Sequence, residues 1–198
     1  MAILNSDKIL TYFDKYLPLD EKEKLALSNC IVERRIKRRQ FILQEGDVCR
    51  HYSFIVSGLF KMYTSDQNGR EYNLQFSAEN DWINDIGSFN TKKPSKFFIE
   101  AVESSVIIQI EKSALIDLLT NFSKFERIFR VIIEDKFICL ENRLMQKICS
   151  STEEHYHTFV NEYPQLAQRL PNTQIASYLG ITPEFLSKIR NTRIRKGV

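Results

Sequence analysis

Apolar residues along this chain repeat at helical spacing, then alternate in short bursts, then return to helical spacing, and these switches divide it into regions. Ile9, Leu10, Phe13, Tyr16 and Leu17 recur at three- and four-residue steps. Pro18 interrupts them and 21–27 resumes, so residues 6–29 predict helix. Across 41–110 the pattern predicts strands with turn punctuation. Phe41-Ile42-Leu43 runs into Glu45-Gly46-Asp47, 52–56 into Ser57-Gly58, and 59–63 towards Asn68-Gly69. Asn-Gly is a strong hairpin signal, because a type I′ turn asks for positive φ at both central residues. Tyr72, Leu74 and Phe76 alternate, Asp81-Trp82-Ile83 opens another segment, and 97–99 and 106–110 complete the set. Many short strands at near-regular spacing predict a barrel or jelly roll.

From Ser113 the helical period returns, first over 114–119. Phe122, Phe125, Phe129, Ile132, Ile133, Phe137, Leu140, Leu144 and Ile148 then recur with no Gly or Pro among residues 122–148. One helix of roughly 40 Å is expected there. Its apolar stripe is longer than a small roll covers, so a second copy packed alongside, coiled-coil fashion, is the economical expectation. Burial against its own chain is the alternative, and Lys136 on the stripe departs from a strict heptad. Ser151-Thr152-Glu153-Glu154 has capping-box spacing, which starts a new helix and places a bend at 149–151. That helix carries Tyr156, Phe159 and Val160 and stops near Tyr163-Pro164. Leu166, Ala167 and Leu170 form a further turn before Pro171.

The stretch 172–191 predicts two short helices joined by a tight turn. Asn172 or Thr173 is placed to cap the first, whose apolar residues are Ile175, Ala176 and Leu179. Gly180 supplies the left-handed backbone at its end. Thr182 offers an oxygen to the next helix, Pro183 takes its first position and Glu184 meets its positive dipole end. This is the helix-turn-helix layout, whose second helix enters a DNA major groove. Phe185, Leu186 and Ile189 are expected to pack on Ile175 and Leu179, leaving Pro183, Glu184, Ser187, Lys188 and Asn191 outward. Lys188 can donate to a guanine edge and Glu184 can accept from cytosine N4. Lys188, Arg190, Arg193, Arg195 and Lys196 form a basic tail with no acidic residue, suited to phosphates. Thr173 and Thr182 complete the candidate DNA-contacting set; an ordinary helical hairpin with a solvated basic end is the plainer alternative.

Composition narrows the class. With 198 residues, 43% of them hydrophobic and 27% charged, the chain suits one large globular domain or two small ones. A formal net charge of +3 is too small to argue for nucleic acid, so the distribution of charge carries that reading. The run Arg34, Arg35, Lys37, Arg38 and Arg39 is interleaved with Ile36 and read as a solvated strand face rather than a nucleic-acid patch. No apolar run approaches a membrane span and no signal-peptide layout opens the chain, so a cytoplasmic protein without membrane contact is expected. Cys30, Cys49, Cys139 and Cys149 form no C-x-x-C pair and are read as reduced thiols. His51 stands alone, and His155 and His157 are two apart on a helix, on different faces. No catalytic triad order or phosphate loop accompanies them, so neither an enzyme nor a metal or other cofactor is expected.

In this order the chain resembles the Crp/Fnr superfamily of bacterial transcription regulators. The likeness rests on Phe41-Ile42-Leu43-Gln44-Glu45-Gly46-Asp47, Phe54-Ile55-Val56-Ser57-Gly58, Asn68-Gly69-Arg70-Glu71 and the stretch from Ile181-Thr182-Pro183-Glu184 through Arg190. It implies an α+β fold with an N-terminal jelly-roll β-barrel, cyclic-nucleotide-binding-like, over 1–120. A dimerisation helix over 121–150 and a helix-turn-helix DNA-binding domain over 151–198 would follow. The implied molecule is a homodimer that reads double-stranded DNA at half-sites about 34 Å apart, with a possible unknown small-molecule effector.

Two departures from the family pattern qualify the resemblance. The family's cassette has Gly-Glu-Leu and, after a loop, Arg-Ser-Ala, the Glu holding a ribose hydroxyl and the Arg a cyclic phosphate. The matching stretches are Asn84-Asp85-Ile86 and Ser95-Lys96-Phe97. Asp85 has a shorter reach than Glu, Ser95 cannot replace a permanently charged, bidentate Arg, and Phe97 puts a ring where the family has a small residue. A degenerate pocket of Asp85, Ile86, Ser95, Lys96 and Phe97 that does not take cyclic AMP is therefore expected. Lys92, Lys93 and Lys96 read as a solvated loop or an anion site. The second departure is the wing that follows the recognition helix in many members: with Val198 the last residue, it is expected to be truncated or absent. The competing function is a ligand-sensing dimeric signalling module that acts on a protein partner without specific DNA binding.

Overall fold

The structure, a computed structural model, describes residues 5–196, with side chains through Asn191. It is a mixed α and β chain that folds as two compact units, 1–64 with 76–134, and 65–75 with 135–198. The first holds two short helices, α1 (Ser6–Asp14) and α2 (Glu21–Cys30), ahead of the strands. Asp20 caps α2 through a capping box with Glu23, which explains why the helical period resumes after Pro18.

Eight strands follow: β1 (Ile31–Ile36), β2 (Phe41–Leu43), β3 (His51–Ser57), β4 (Phe60–Ser65), β5 (Glu71–Ser77), β6 (Trp82–Ile83), β7 (Phe98–Ala101) and β8 (Ser105–Glu111). They make two four-stranded sheets, ordered β1-β8-β3-β6 and β2-β7-β4-β5, the jelly-roll arrangement. In β3 residues 52–56 are all buried, because helices cover one face of its sheet and the second sheet covers the other. Trp82 anchors the helix-covered face, its ring centroid 5.2 Å from Phe54, 5.4 Å from Phe129 and 6.1 Å from Phe13. Each such buried ring contributes about 1.5–3 kcal/mol.

Helix α3 (Ile86–Thr91) lies between β6 and β7, and α4 (Lys112–Asn121) follows β8. The long helix α5 (Ser123–Cys149) starts one residue later than its apolar pattern suggests, because the N–H of Phe122 closes α4 on Leu118. Its first turns bury Phe125, Ile128, Phe129 and Ile132. Beyond them Phe137, Leu140, Leu144 and Ile148 are 55–69% exposed. Ser151 and Glu154 form the expected capping box at the start of α6 (Thr152–Glu162). Three helices complete the second unit: α7 (Pro164–Arg169), α8 (Asn172–Leu179) and α9 (Pro183–Lys196). Tyr156, Phe159, Leu166, Leu170, Ile175, Ala176, Leu186 and Ile189 are its buried apolar residues among those described. No helix among the described residues is long and apolar enough to cross a membrane.

The 66–70 turn departs from the Asn-Gly expectation. Of the pair only Gly69 takes a positive φ, 77°. The Asp66 carboxylate instead accepts the N–H groups of Asn68 and Arg70, and the carbonyl of Arg70 accepts the N–H of Asp66. An aspartate-organised loop thus replaces the two-residue type I′ turn.

Candidate nucleic-acid interface and ligand cassette

Local chemistry fixes the α8–α9 turn. Gly180 takes φ 74°, and the N–H of Ile181 reaches the carbonyl of Ala176 at 2.9 Å, closing α8 as a left-handed cap does. Thr182 then caps α9, its hydroxyl oxygen accepting the N–H of Phe185 at 3.3 Å. The start of α8 differs from expectation. Pro171 is its N-cap and no side chain caps it, because the amide oxygen of Asn172 accepts from the Arg190 guanidinium instead.

Leu186 is fully buried and Ile189 4% exposed, so the inward face of α9 is the three-residue step 186–189. Phe185, expected inside, is 41% exposed, because one helical residue is a 100° turn and the Leu186 choice carries its neighbour out. Thr182, Glu184, Ser187, Lys188, Arg190 and Asn191 are exposed, and Pro183 is half-buried. Glu184 is held below the usual carboxylate range by its own backbone N–H and then by the Thr182 hydroxyl, so it is ionised at neutral pH. The Ser187 hydroxyl donates to the carbonyl of Pro183 at 3.0 Å. Thr173 is exposed on the first turn of α8. Arg193 was assigned with this set, but its side chain, like those of Arg195 and Lys196 and residues 197–198, lies outside the described residues. The expected loss of the wing falls there too.

No periodic pattern marks what covers the near side of α8. Residues 65–75, the tip of the β4–β5 hairpin, belong to the same compact unit as α8 and α9. The Ser177 hydroxyl donates to the carbonyl of Glu71 at 2.6 Å and its oxygen accepts the N–H of Asn73 at 3.1 Å. Arg143 lies 3.8 Å over the Tyr178 ring and donates to the carbonyls of Leu74 and Tyr178. Thr173 and Pro183 line a cavity of about 250 Å³ together with Arg70, Glu71 and Asn73. The only local signal was polar Asn73 inside an alternating strand.

The cassette residues are drawn into a closed set of bonds. Asp85 is the N-cap of α3, accepting from the N–H of Ser88 at 3.1 Å and from the Ser95 hydroxyl at 2.7 Å. The Ser95 hydroxyl oxygen accepts the N–H of Phe97 at 3.0 Å. Backbone bonds of 2.8 and 2.9 Å tie Ser95 to Asp47 and Gly46. Asp85 and Ser95 are 8% and 3% exposed, whereas Ile86 and Lys96 point to solvent and Phe97 is half-buried against the core. Lys92 and Lys93 are exposed on the following loop. Among the described residues no group of three or more His, Cys, Asp or Glu is placed to hold a metal ion.

Comparison with known proteins follows the same outline. Residues 33–122 match the cyclic nucleotide-binding domain family. FixK2 from Bradyrhizobium japonicum superposes with a TM-score of 0.75 at 16% identity, covering 85% of this chain and 86% of that one. CooA from Carboxydothermus hydrogenoformans, as a double mutant, gives 0.73 at 15% identity over 100% and 88%. A protein from Eubacterium rectale described as a Crp/Fnr-family transcriptional regulator gives 0.72 at 16% identity over 94% and 89%. No curated protein matches the chain in sequence. The chain thus shares its overall fold, the Crp/Fnr fold, with these proteins, and its residues 33–122 are the part that matches the cyclic nucleotide-binding domain family.

Proposed function

We propose that this chain is a DNA-binding transcription regulator of the Crp/Fnr type that acts as a homodimer. In this reading 1–120 is the sensor, 121–150 the dimerisation helix and 151–198 the reader. The observation that carries it is the α8–Gly180–α9 turn, capped by Thr182, with an exposed polar face at the start of α9. Lys188, Glu184 and Ser187 would read base edges, while Thr173, Thr182, Pro183, Arg190, Asn191 and Arg193 would position the duplex. The exposed half of α5 supplies a partner face for a second copy. Such a molecule works where the DNA is, in the cytoplasm, and performs no catalysis.

The sensor is proposed not to respond to cyclic AMP. The Asp85 carboxylate is already engaged by Ser88 and Ser95, and Ser95 stands where a phosphate-binding arginine would be needed. Micromolar binding of cyclic AMP by calorimetry would overturn this part. The whole reading is tested by selecting bound fragments from genomic DNA and repeating the selection with Lys188→Ala. Enrichment of a two-fold symmetric motif, with relaxed preference at one base position in the variant, is expected. Equal recovery of all fragments would refute it.

One observation favours a second reading, in which the dimer regulates a protein partner: the Phe185 ring is 41% exposed on α9. Duplex affinity that is weak and flat with added salt would support that reading, since phosphate contacts make affinity fall steeply.

A further inference from the structure

The face of the β1-β8-β3-β6 sheet that looks into the roll changes character along its length. Strand register puts Arg34 opposite Ile107, Ile55 opposite Ile107, and Ser53 opposite both Gln109 and Ile83. Ile55, Ile83 and Ile107 are buried, as a roll interior requires. Next to them the same face carries Ser53 and Gln109, 2% and 4% exposed, with His51 and Arg34 towards the rim. Polar side chains on an inward face cost free energy unless something satisfies them.

Part of that satisfaction is internal. Arg34 Nη1 donates to Gln109 Oε1 at 2.9 Å, and Gln109 Nε2 donates to Ser53 Oγ at 3.0 Å. This chain uses one of the five guanidinium N–H groups of Arg34. Arg34, Gln109 and Ser53 line one cavity of about 290 Å³, whose opposite wall includes Leu43 and Ile99. Its charged lining residues are Arg34, Arg50 and one carboxylate, Asp47. Burial holds the His51 imidazole below its ordinary value, with Arg34 and Arg50 adding to the effect and Glu111 opposing it. At neutral pH His51 is therefore uncharged, and the arginines hold the cavity's positive charge.

We propose that this cavity binds a short-chain aliphatic carboxylic acid, its carboxylate on Arg34 and its hydrocarbon chain against Ile83 and Ile99. A guanidinium fork matches a carboxylate in two parallel bonds. The apolar wall gives a hydrocarbon chain a place that inorganic phosphate would leave empty, and the volume suits an acid of about four to eight carbons. The cavity adjoins the cyclic nucleotide cassette through Asn84 and Asp47, but neither Asp85 nor Ser95, the two positions that would hold a nucleotide, lines it. It is also independent of the DNA reading, because the ligand would be held whether or not α9 meets a duplex.

The test is calorimetric titration of the full chain at neutral pH with hexanoate, with hexanamide as the uncharged analogue, and with inorganic phosphate. Saturable hexanoate binding, about tenfold or more tighter than either of the others, is expected. Arg34→Gln removes that preference and Arg34→Lys, which keeps the charge and loses the fork, retains part of it. Arg38→Gln, exposed and outside the cavity, leaves it unchanged. Thermal midpoints without ligand show whether each variant is folded, and Arg34→Lys carries the test should Arg34→Gln melt early. Equal binding of hexanoate and hexanamide, no saturable hexanoate binding, or a preference that survives both Arg34 variants would overturn the proposal.

Discussion

Leu144→Ala isolates the dimerisation claim. Leu144 is 57% exposed on α5, in line with Phe137, Leu140 and Ile148. Burying a whole leucine side chain is worth about 1.5–3 kcal/mol, so covering its exposed part is worth about 1–1.5 kcal/mol. A two-fold interface contains the contact twice, which makes the loss about 2–3 kcal/mol, or a dimer ~30- to 150-fold weaker. Alanine is the best helix former, so α5 itself is preserved. Sedimentation equilibrium over a range of concentrations gives both dissociation constants directly. Ile116→Ala is the control: Ile116 is 50% exposed but sits on α4, away from the stripe. A monomeric parent chain, an unchanged constant in Leu144→Ala, or an equal loss in Ile116→Ala would refute the reasoning.

Other outcomes follow from single groups. Ser151→Ala removes the side-chain half of the α6 capping box, leaving Glu154 on the backbone N–H of residue 151, and should lower stability by about 1 kcal/mol, read from denaturant midpoints. Asp20, Glu154 and Glu184 all have depressed folded-state values, each led by a backbone N–H bond. Their stabilisation is therefore present above the ordinary carboxylate range and lost as pH falls through the folded values, so unfolding midpoints should drop in acid and drop less in Asp20→Asn. For His51, a base whose folded value lies below 6.5, stability should fall as pH drops beneath 6.5; in His51→Gln that part of the profile should flatten. Lys188→Ala should relax base preference at one position, whereas Arg190→Ala should weaken all duplexes alike, as competition binding would show.

Features decided by neighbours in sequence could be read in advance. The Ser151–Glu154 box, the Gly180 cap and the Thr182 cap each need residues no more than a few positions apart. The apolar run of β3 was legible because both of its faces are covered, so every residue from 52 to 56 is buried. Features settled by distant contacts were not. Phe185 faces out because the α8–α9 packing selects the 186–189 step, and either step satisfies the sequence period. Asn172 gives its side chain to Arg190, eighteen residues away, and so leaves the cap of α8 to Pro171. The bonds between Ser177 and the hairpin tip join positions about a hundred residues apart, with no periodic signal at either end. The polar interior behind Arg34 and Gln109 depends on strand register, which places residues 75 apart on one inward face.

The most direct measurement is sedimentation velocity of the chain with a labelled duplex taken from genomic selection, over increasing salt. The account predicts a complex of two protomers per duplex that dissociates steeply as salt rises, because the basic residues from Lys188 onward displace counterions from phosphates. A single protomer that sediments apart from the duplex even at low ionic strength would contradict it.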